Sequence, residues 1–274
     1  SGSGGTLWGA NAVNGVINIT TKGSKETQGL FVEGATGTQL KGYGSVRYGG
    51  AIGKNIHYRE YGMGYKHGST KLTEGSTDAG DNWSLGQGGV RFDWEVSDTD
   101  QITLQSNIFN GSPNPEGNVA VTANGNNIVG RWNHSISGQS KFQLQLYHDK
   151  TWRDFNNGFA ESLNTYDIDG NHSFKIGQHH QIIWGMGARL MDIDEKNLEL
   201  FGFFPAHKTL HIYSVFVQDQ IRLHEKLQFT IGSKLEHNSY TGLQYQPNGR
   251  LTWTPVNQQT IWGAISRAIR TPSR

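Results

Sequence analysis

From Leu30 onward, apolar and polar side chains exchange places at every second position, the period of a strand with two unlike faces. Phe142, Leu144 and Leu146 alternate with Lys141, Gln143 and Gln145. Leu227, Phe229, Ile231 and Leu235 oppose Gln228, Thr230, Lys234 and Glu236. Val90, Phe92, Trp94 and Val96 oppose Arg91, Asp93 and Glu95, while Tyr166, Ile168, His172, Phe174 and Ile176 oppose Asp167, Asp169, Asn171 and Lys175. An all-β, antiparallel chain is predicted, with one charged face on each strand. Alternation alone does not choose the environment, because a soluble sandwich also sets one apolar face against one wet face.

The connections discriminate better. Short turn-type links fall at Gly53 to Asn55, Ser97 to Asp100, Ser137 to Ser140, Gly177 to His179, His224 to Lys226 and Pro255 to Gln258. Longer polar stretches lie between them, near Gly68 to Asn82, Gly111 to Asn126, Arg153 to Ser162 and Asp194 to Thr209. Two links on the long-loop side, near Thr38 and at Ser239 to Gly242, are short. Short turns on one rim and longer loops on the other are the habit of a transmembrane β-barrel. About thirteen strands are predicted, many of 10 or more residues, the length that spans a bilayer. Trp94, Phe142, Phe174, Phe229 and Trp253 all lie near the short turns, where an interfacial girdle would sit.

Composition agrees and excludes alternatives. Gly supplies 37 of 274 residues and Pro only 6, which disfavours a helical or collagen-like chain. The longest apolar run, Ile182 to Ala188, is far short of the roughly 18 residues of a membrane helix. Mean hydropathy is −0.58, as expected where one wet and one lipid face average out. Lys+Arg 24 against Asp+Glu 23 leaves no field that would attract nucleic acid. With Cys 0, disulfides, thiolate metal sites and Cys nucleophiles are excluded. No signal peptide is visible at the start, so any such segment is expected to lie outside this sequence.

The opening reads differently from the rest. The stretch from Ser1 to Lys22 contains Gly4, Gly5, Leu7, Trp8, Gly9, Asn11, Ala12 and Gly15, then Val16, Ile17, Asn18 and Ile19. It resembles the segment that closes the plug domain of TonB-dependent outer-membrane receptors. Ser1 stands where that family usually has Arg, and Ser3 where it has Pro. Phe216-Val-Gln-Asp-Gln-Ile221 is similar to a mid-barrel strand of these receptors, and Ser266-Arg-Ala-Ile-Arg-Thr-Pro-Ser273 to the strand end before a long extracellular loop. The resemblance implies that residues 1–29 are the C-terminal end of a plug domain and residues 30–274 the N-terminal part of a transmembrane β-barrel. The chain would be an internal fragment holding about 13 of about 22 strands.

On this reading Arg91, Asp93, Glu95, Asp167, Asp169, Lys175, Lys234 and Glu236 face a wet lumen, where they can pair with plug groups or water. Other candidate chemistry is thin. His224-Glu225 opens like a zincin motif, but Gln228 stands at the fifth position and the segment is a turn. Asp167-Ile-Asp169-Gly170-Asn171 lacks the acidic twelfth position of a calcium loop. Asp192-Ile-Asp194-Glu195 could take a weak cation, and His179-His180 or His207 with His211 could ligate a metal or haem iron. Haem receptors of the family carry Arg-Ala-Pro where this chain has Arg270-Thr-Pro272, which does not favour haem. No metal site, cofactor or catalytic group is assigned, and no enzyme activity is expected.

The resemblance therefore implies an energy-coupled receptor and transporter of the bacterial outer membrane. Its ligand would be scarce, a ferric siderophore or a cobalamin-like molecule. Its partners would be a TonB-type energy-coupling protein, that metal chelate or small molecule, and outer-membrane lipid, with no nucleic acid, the complete barrel being a monomer. A passive β-barrel channel and a soluble all-β binding or adhesin domain are the alternatives.

Overall fold

The computed structural model of the chain describes residues 17–72, 77–112, 121–155, 158–199 and 201–272. They form thirteen strands joined only to their neighbours in sequence, in one antiparallel up-and-down sheet. The first three are β1 (Gly29–Ala35), β2 (Leu40–Ile52) and β3 (Ile56–His67). Next come β4 (Trp83–Glu95), β5 (Asp100–Ser112), β6 (Thr122–Ser137), β7 (Ser140–Asp154) and β8 (Ala160–Ile176). The last five are β9 (His180–Lys196), β10 (His207–His224), β11 (Leu227–Asn238), β12 (Gly242–Trp253) and β13 (Ile261–Ser266). Ahead of them lies a single 3-10 turn, Ser24–Thr27.

All six predicted short turns join strands at one end of the sheet, and the longer stretches join them at the other. Gly53 and Gly177 adopt φ +66° and +59° in two of the short turns, a left-handed conformation that any Cβ disfavours. The strands run further into the long-loop side than alternation indicates: β6 begins at Thr122 and β9 continues to Lys196. There Asn124 and Asn126, or Asp192 and Asp194, occupy the positions where apolar residues stand lower down. These ends hold their ladder bonds but rise beyond the apolar band, so the outward face no longer carries apolar residues.

Register makes the two faces explicit. One cross-strand row runs Tyr58, Phe92, Leu104, Gly130, Leu146, Ile168, Ala188 and Tyr213. The adjacent row on the other face runs His57, Asp93, Thr103, Arg131, Gln145, Asp169, Gly187, Ser214 and Glu236. Burial is the reverse of a soluble domain. The buried hydrophobic side chains among the described residues are Val121, Phe159, Leu210 and Phe216, while Thr165, Glu236, Asn238 and Gln246 are buried too. On the opposite face Leu146, Met186 and Val217 are about half exposed, as are many neighbours. A contiguous apolar face of this extent is what a soluble monomer avoids.

The apolar face is also banded. On β9 it runs from Ile182 through Trp184, Met186 and Ala188 to Leu190 and then turns to Asp192 and Asp194. At strand rise and barrel tilt that run is about 20 Å tall, close to the outward apolar belt of a membrane barrel. Toward the short turns it ends in rings: Trp132 meets Phe142 at 5.8 Å, and His172 meets Phe174 at 4.8 Å and Trp184 at 6.1 Å. The Trp132 indole and His134 both contact Asp100 there, at 2.9 and 2.8 Å. Asp219, within the Phe216–Ile221 stretch, turns to this face and meets His180 Nδ1 at 2.6 Å.

Candidate functional site

The eight candidate charges all lie on the polar face, seven of them in three adjoining rows and Lys175 two rows nearer the short turns. Near the short-turn end of β4, Arg91 grips Asp93 through Nε and Nη2 at 2.9–3.1 Å. Asp93 also accepts the Ser24 N–H at 2.7 Å and the Thr103 hydroxyl at 2.7 Å. The segment before β1 is thereby fastened to the sheet. Ser24 is fully buried, its hydroxyl donates to the Arg91 carbonyl at 3.3 Å, and Lys25 pairs with Glu95 at 3.1 Å. Arg59 donates to the Lys22 carbonyl at 2.9 Å and Arg91 to the Thr21 hydroxyl at 3.2 Å. Thr27 rests on Gly49, whose missing side chain leaves room for its carbonyl. Of the opening motif, Ile17, Asn18 and Ile19 are exposed without regular structure. Gly4, Gly5, Leu7, Trp8, Gly9, Asn11, Ala12, Gly15 and Val16 lie outside the described residues.

Further along the same face Arg131 donates twice to Gln145, at 3.0 and 2.7 Å, and Arg189 pairs with Asp167 at 2.8 Å. Asp169 and Glu236 stand in the same row as Arg131 and Gln145, Lys234 stands in the next row toward the short turns, and Lys175 lies nearer those turns, opposite Gln181. Asp167 and Asp169 are thus wall residues of β8, inside a regular strand.

Toward the long loops the polar face opens into a cavity of about 400 Å³, lined by Glu161, Arg189, Met191, Phe203, Leu210 and Tyr240 among others. Phe203 of this lining belongs to an aromatic group. Phe159 lies 5.5 Å from Phe155, 5.7 Å from Phe201 and 6.3 Å from Phe203, and Phe201 meets Phe203 at 6.0 Å. The Asn197 side chain clips the loop shut, donating to the Phe203 carbonyl at 2.8 Å and accepting the Phe203 N–H at 3.0 Å. Lys208 holds its ammonium 4.5 Å from the Tyr240 ring centre, a cation–π contact at the cavity edge. Sequence reasoning passed over this group; the only signal is Phe201, Phe203 and Phe204 crowded into an otherwise polar loop. In the loop between β3 and β4, Asp81 accepts from the Thr70 hydroxyl and N–H at 2.7 and 2.6 Å. Those bonds favour its charged form and hold its carboxyl below the usual carboxylate range.

The histidines divide up differently from the sequence pairings. His179 Nδ1 contacts the Arg222 carbonyl and His180 the Asp219 carboxylate, so these neighbours serve separate partners. His207 and His211 share a strand face but stand four residues apart, about 13 Å, too far to hold one ion. Instead His207 faces Asp194 across the strand pair and lies by Asp192, with its Nδ1 and Nε2 at 2.8 and 3.5 Å from their respective carboxylates. His224, Glu225 and Gln228 sit at the β10–β11 turn, where no helix face is available.

Three comparisons bear on this arrangement. Residues 8–274 match the model of the family described as TonB dependent receptor-like, beta-barrel. The chain is 20% identical over 288 residues to the iron-regulated outer membrane virulence protein of Vibrio cholerae, covering 97% of this chain and 43% of that one. Among solved structures, the siderophore receptor PirA of Pseudomonas aeruginosa superposes with TM-score 0.78 at 16% identity, over 99% of this chain and 51% of that one. A ferric enterobactin receptor (PfeA) mutant from the same organism, in complex with enterobactin, gives 0.77 at 15% identity, over 97% and 48%. The chain therefore spans about half the length of these relatives.

Proposed function

The chain belongs to the TonB-dependent receptor-like β-barrel family, and on that premise we propose that it is the wall of an energy-coupled importer for a ferric siderophore. Its location is the bacterial outer membrane. The observation that carries the reading is the inverted burial, with exposed Met186, Leu146 and Val217 on one face and buried Glu236, Gln246 and Asn238 on the other. In a bilayer that arrangement is stable only if the apolar face meets lipid and the polar face a wet lumen. Arg91, Asp93, Glu95, Asp167, Asp169, Lys175, Lys234 and Glu236 then line the lumen. Residues 1–29 close a plug domain, the barrel wall begins with β1, and a TonB-type protein supplies the energy.

The ligand enters at the long-loop rim. The cavity beside Phe203 combines apolar walls with Arg189, Glu161 and Glu195, and Lys208 stands near it on the Tyr240 ring, which suits a metal chelate carrying flat or aromatic groups. A passive channel has no use for the segment clamped by Asp93, which favours the importer.

Two results test the reading. With ferric catecholate and hydroxamate chelates as probes, the full-length protein in detergent binds at least one of them, and Lys208→Ala weakens that binding about tenfold, or ~1.4 kcal/mol. Unchanged affinity would remove Lys208 from the site. Topology is checked on intact cells with an impermeant thiol reagent: a Cys replacing Phe204 is labelled and one replacing Asp98 is not. The reverse pattern would invert the barrel.

A further inference from the structure

Outside the lumen, the apolar-face side of the β9–β10 hairpin carries a group of a different kind. Asp192, Asp194 and His207 converge there so that one ligand atom from each lies within 4.8 Å of the others. Strand pairing sets the geometry: Asp194 stands opposite His207, and Asp192 opposite Thr209. His207 Nδ1 is 2.8 Å from Asp194 Oδ1 and its Nε2 is 3.5 Å from Asp192 Oδ1, while the Thr209 hydroxyl donates to that same Asp192 oxygen at 2.9 Å. A neutral imidazole has one N–H, so it can satisfy one of these carboxylates and must turn a lone pair toward the other. Two carboxylates and that lone pair form a donor set with a charge of −2, which one divalent cation balances.

We propose that Asp192, Asp194 and His207 bind a divalent first-row transition ion. The imidazole decides the class. Calcium takes six to eight oxygens and magnesium a near-octahedral oxygen shell, whereas mixed imidazole and carboxylate donors suit zinc and its neighbours. The donors sit on two paired strands, which fixes them better than a loop would. His207 is 60% exposed at its side chain, so water or an anionic group completes the coordination. Thr209 orients Asp192 and acts as a positioning residue. The group lies just beyond Leu190, the last apolar position of the β9 band, and a few residues below the loop bearing Phe201 and Phe203. An ion there would clamp the two strands that present this loop to the cavity.

The test uses the full-length protein in detergent, stripped with chelator and titrated calorimetrically with Zn²⁺. Because the chain holds eleven histidines, the reading is a difference in stoichiometry. Wild type binds one more Zn²⁺ than His207→Gln, Thr209→Val weakens that site about tenfold, and excess Mg²⁺ does not displace the ion. With Co²⁺ in place of Zn²⁺, visible absorption of the bound ion is lost in His207→Gln. Melting without metal, the same in both proteins, establishes that the variant is folded. Equal stoichiometry in wild type and His207→Gln, or displacement by Mg²⁺, overturns the proposal and leaves an ordinary His–carboxylate pair. Siderophore binding plays no part in this readout.

Discussion

Leu144→Arg is expected to destabilise the barrel by about 2 to 4 kcal/mol, while Gln143→Arg, one residue away, leaves it nearly unchanged. The two positions differ only in face. Leu144 stands in the row Trp132, Leu144, Gly170, Met186 and Val215, inside the apolar band. Gln143 stands in the row Asn133, Gln143 and Asn171, and its amide donates to Asn133 at 2.9 Å. An arginine at Leu144 must bring a guanidinium into hydrocarbon or distort the bilayer around it. At Gln143 it enters a row already wet and polar. Reversible unfolding in lipid vesicles by denaturant measures both; equal costs would mean that the two faces meet the same solvent.

Gly49→Val should cost about 1 to 3 kcal/mol and release the segment ahead of β1. A Cβ at Gly49 would overlap the backbone of Thr27, which cannot yield as a flexible side chain would. The segment must lift, and the Ser24 N–H then loses the Asp93 carboxylate. Asp93 keeps Arg91 and Thr103, so the wall itself stays paired. Gly44→Ala on the same strand, where a Cβ meets nothing within 4 Å, is the control. Hydrogen exchange at the Ser24 amide reads the outcome: fast in Gly49→Val and slow in Gly44→Ala. Slow exchange in both would mean that the clamp does not depend on Gly49.

Much of this architecture is legible in the sequence because strand periodicity and turn chemistry are local. Val90 to Val96 and Phe142 to Leu146 declare their faces without any partner strand. Five of the six short turns also announce themselves through Gly, Asp, Asn or Ser, His224 to Lys226 being the exception. The rest depends on contacts distant in sequence. Ser24 meets Asp93 across 69 positions, and no local signal links them. Phe159, Phe201 and Phe203 come from two loops and gather only once β8 and β9 are paired. Asp192 and Asp194 stand out in the sequence as an acidic pair, but no local signal links them to His207. His207 finds Asp194 through the β9–β10 register, which follows from the length of the intervening loop rather than from residue spacing. The strand ends beyond the apolar band are hidden for a third reason: their outward face turns polar, and on β9 Met191 and Ile193 stand on the cavity side instead, so the alternation changes phase.

The importer reading is tested most directly by uptake of a radiolabelled ferric siderophore into cells that carry the full-length protein as their only receptor for it. Accumulation above the external concentration is expected, and it disappears when the TonB-type protein is removed, although the ligand still binds at the cell surface. Uptake that continues unchanged without that protein, rising only in proportion to external concentration, would contradict it and make the barrel a passive channel.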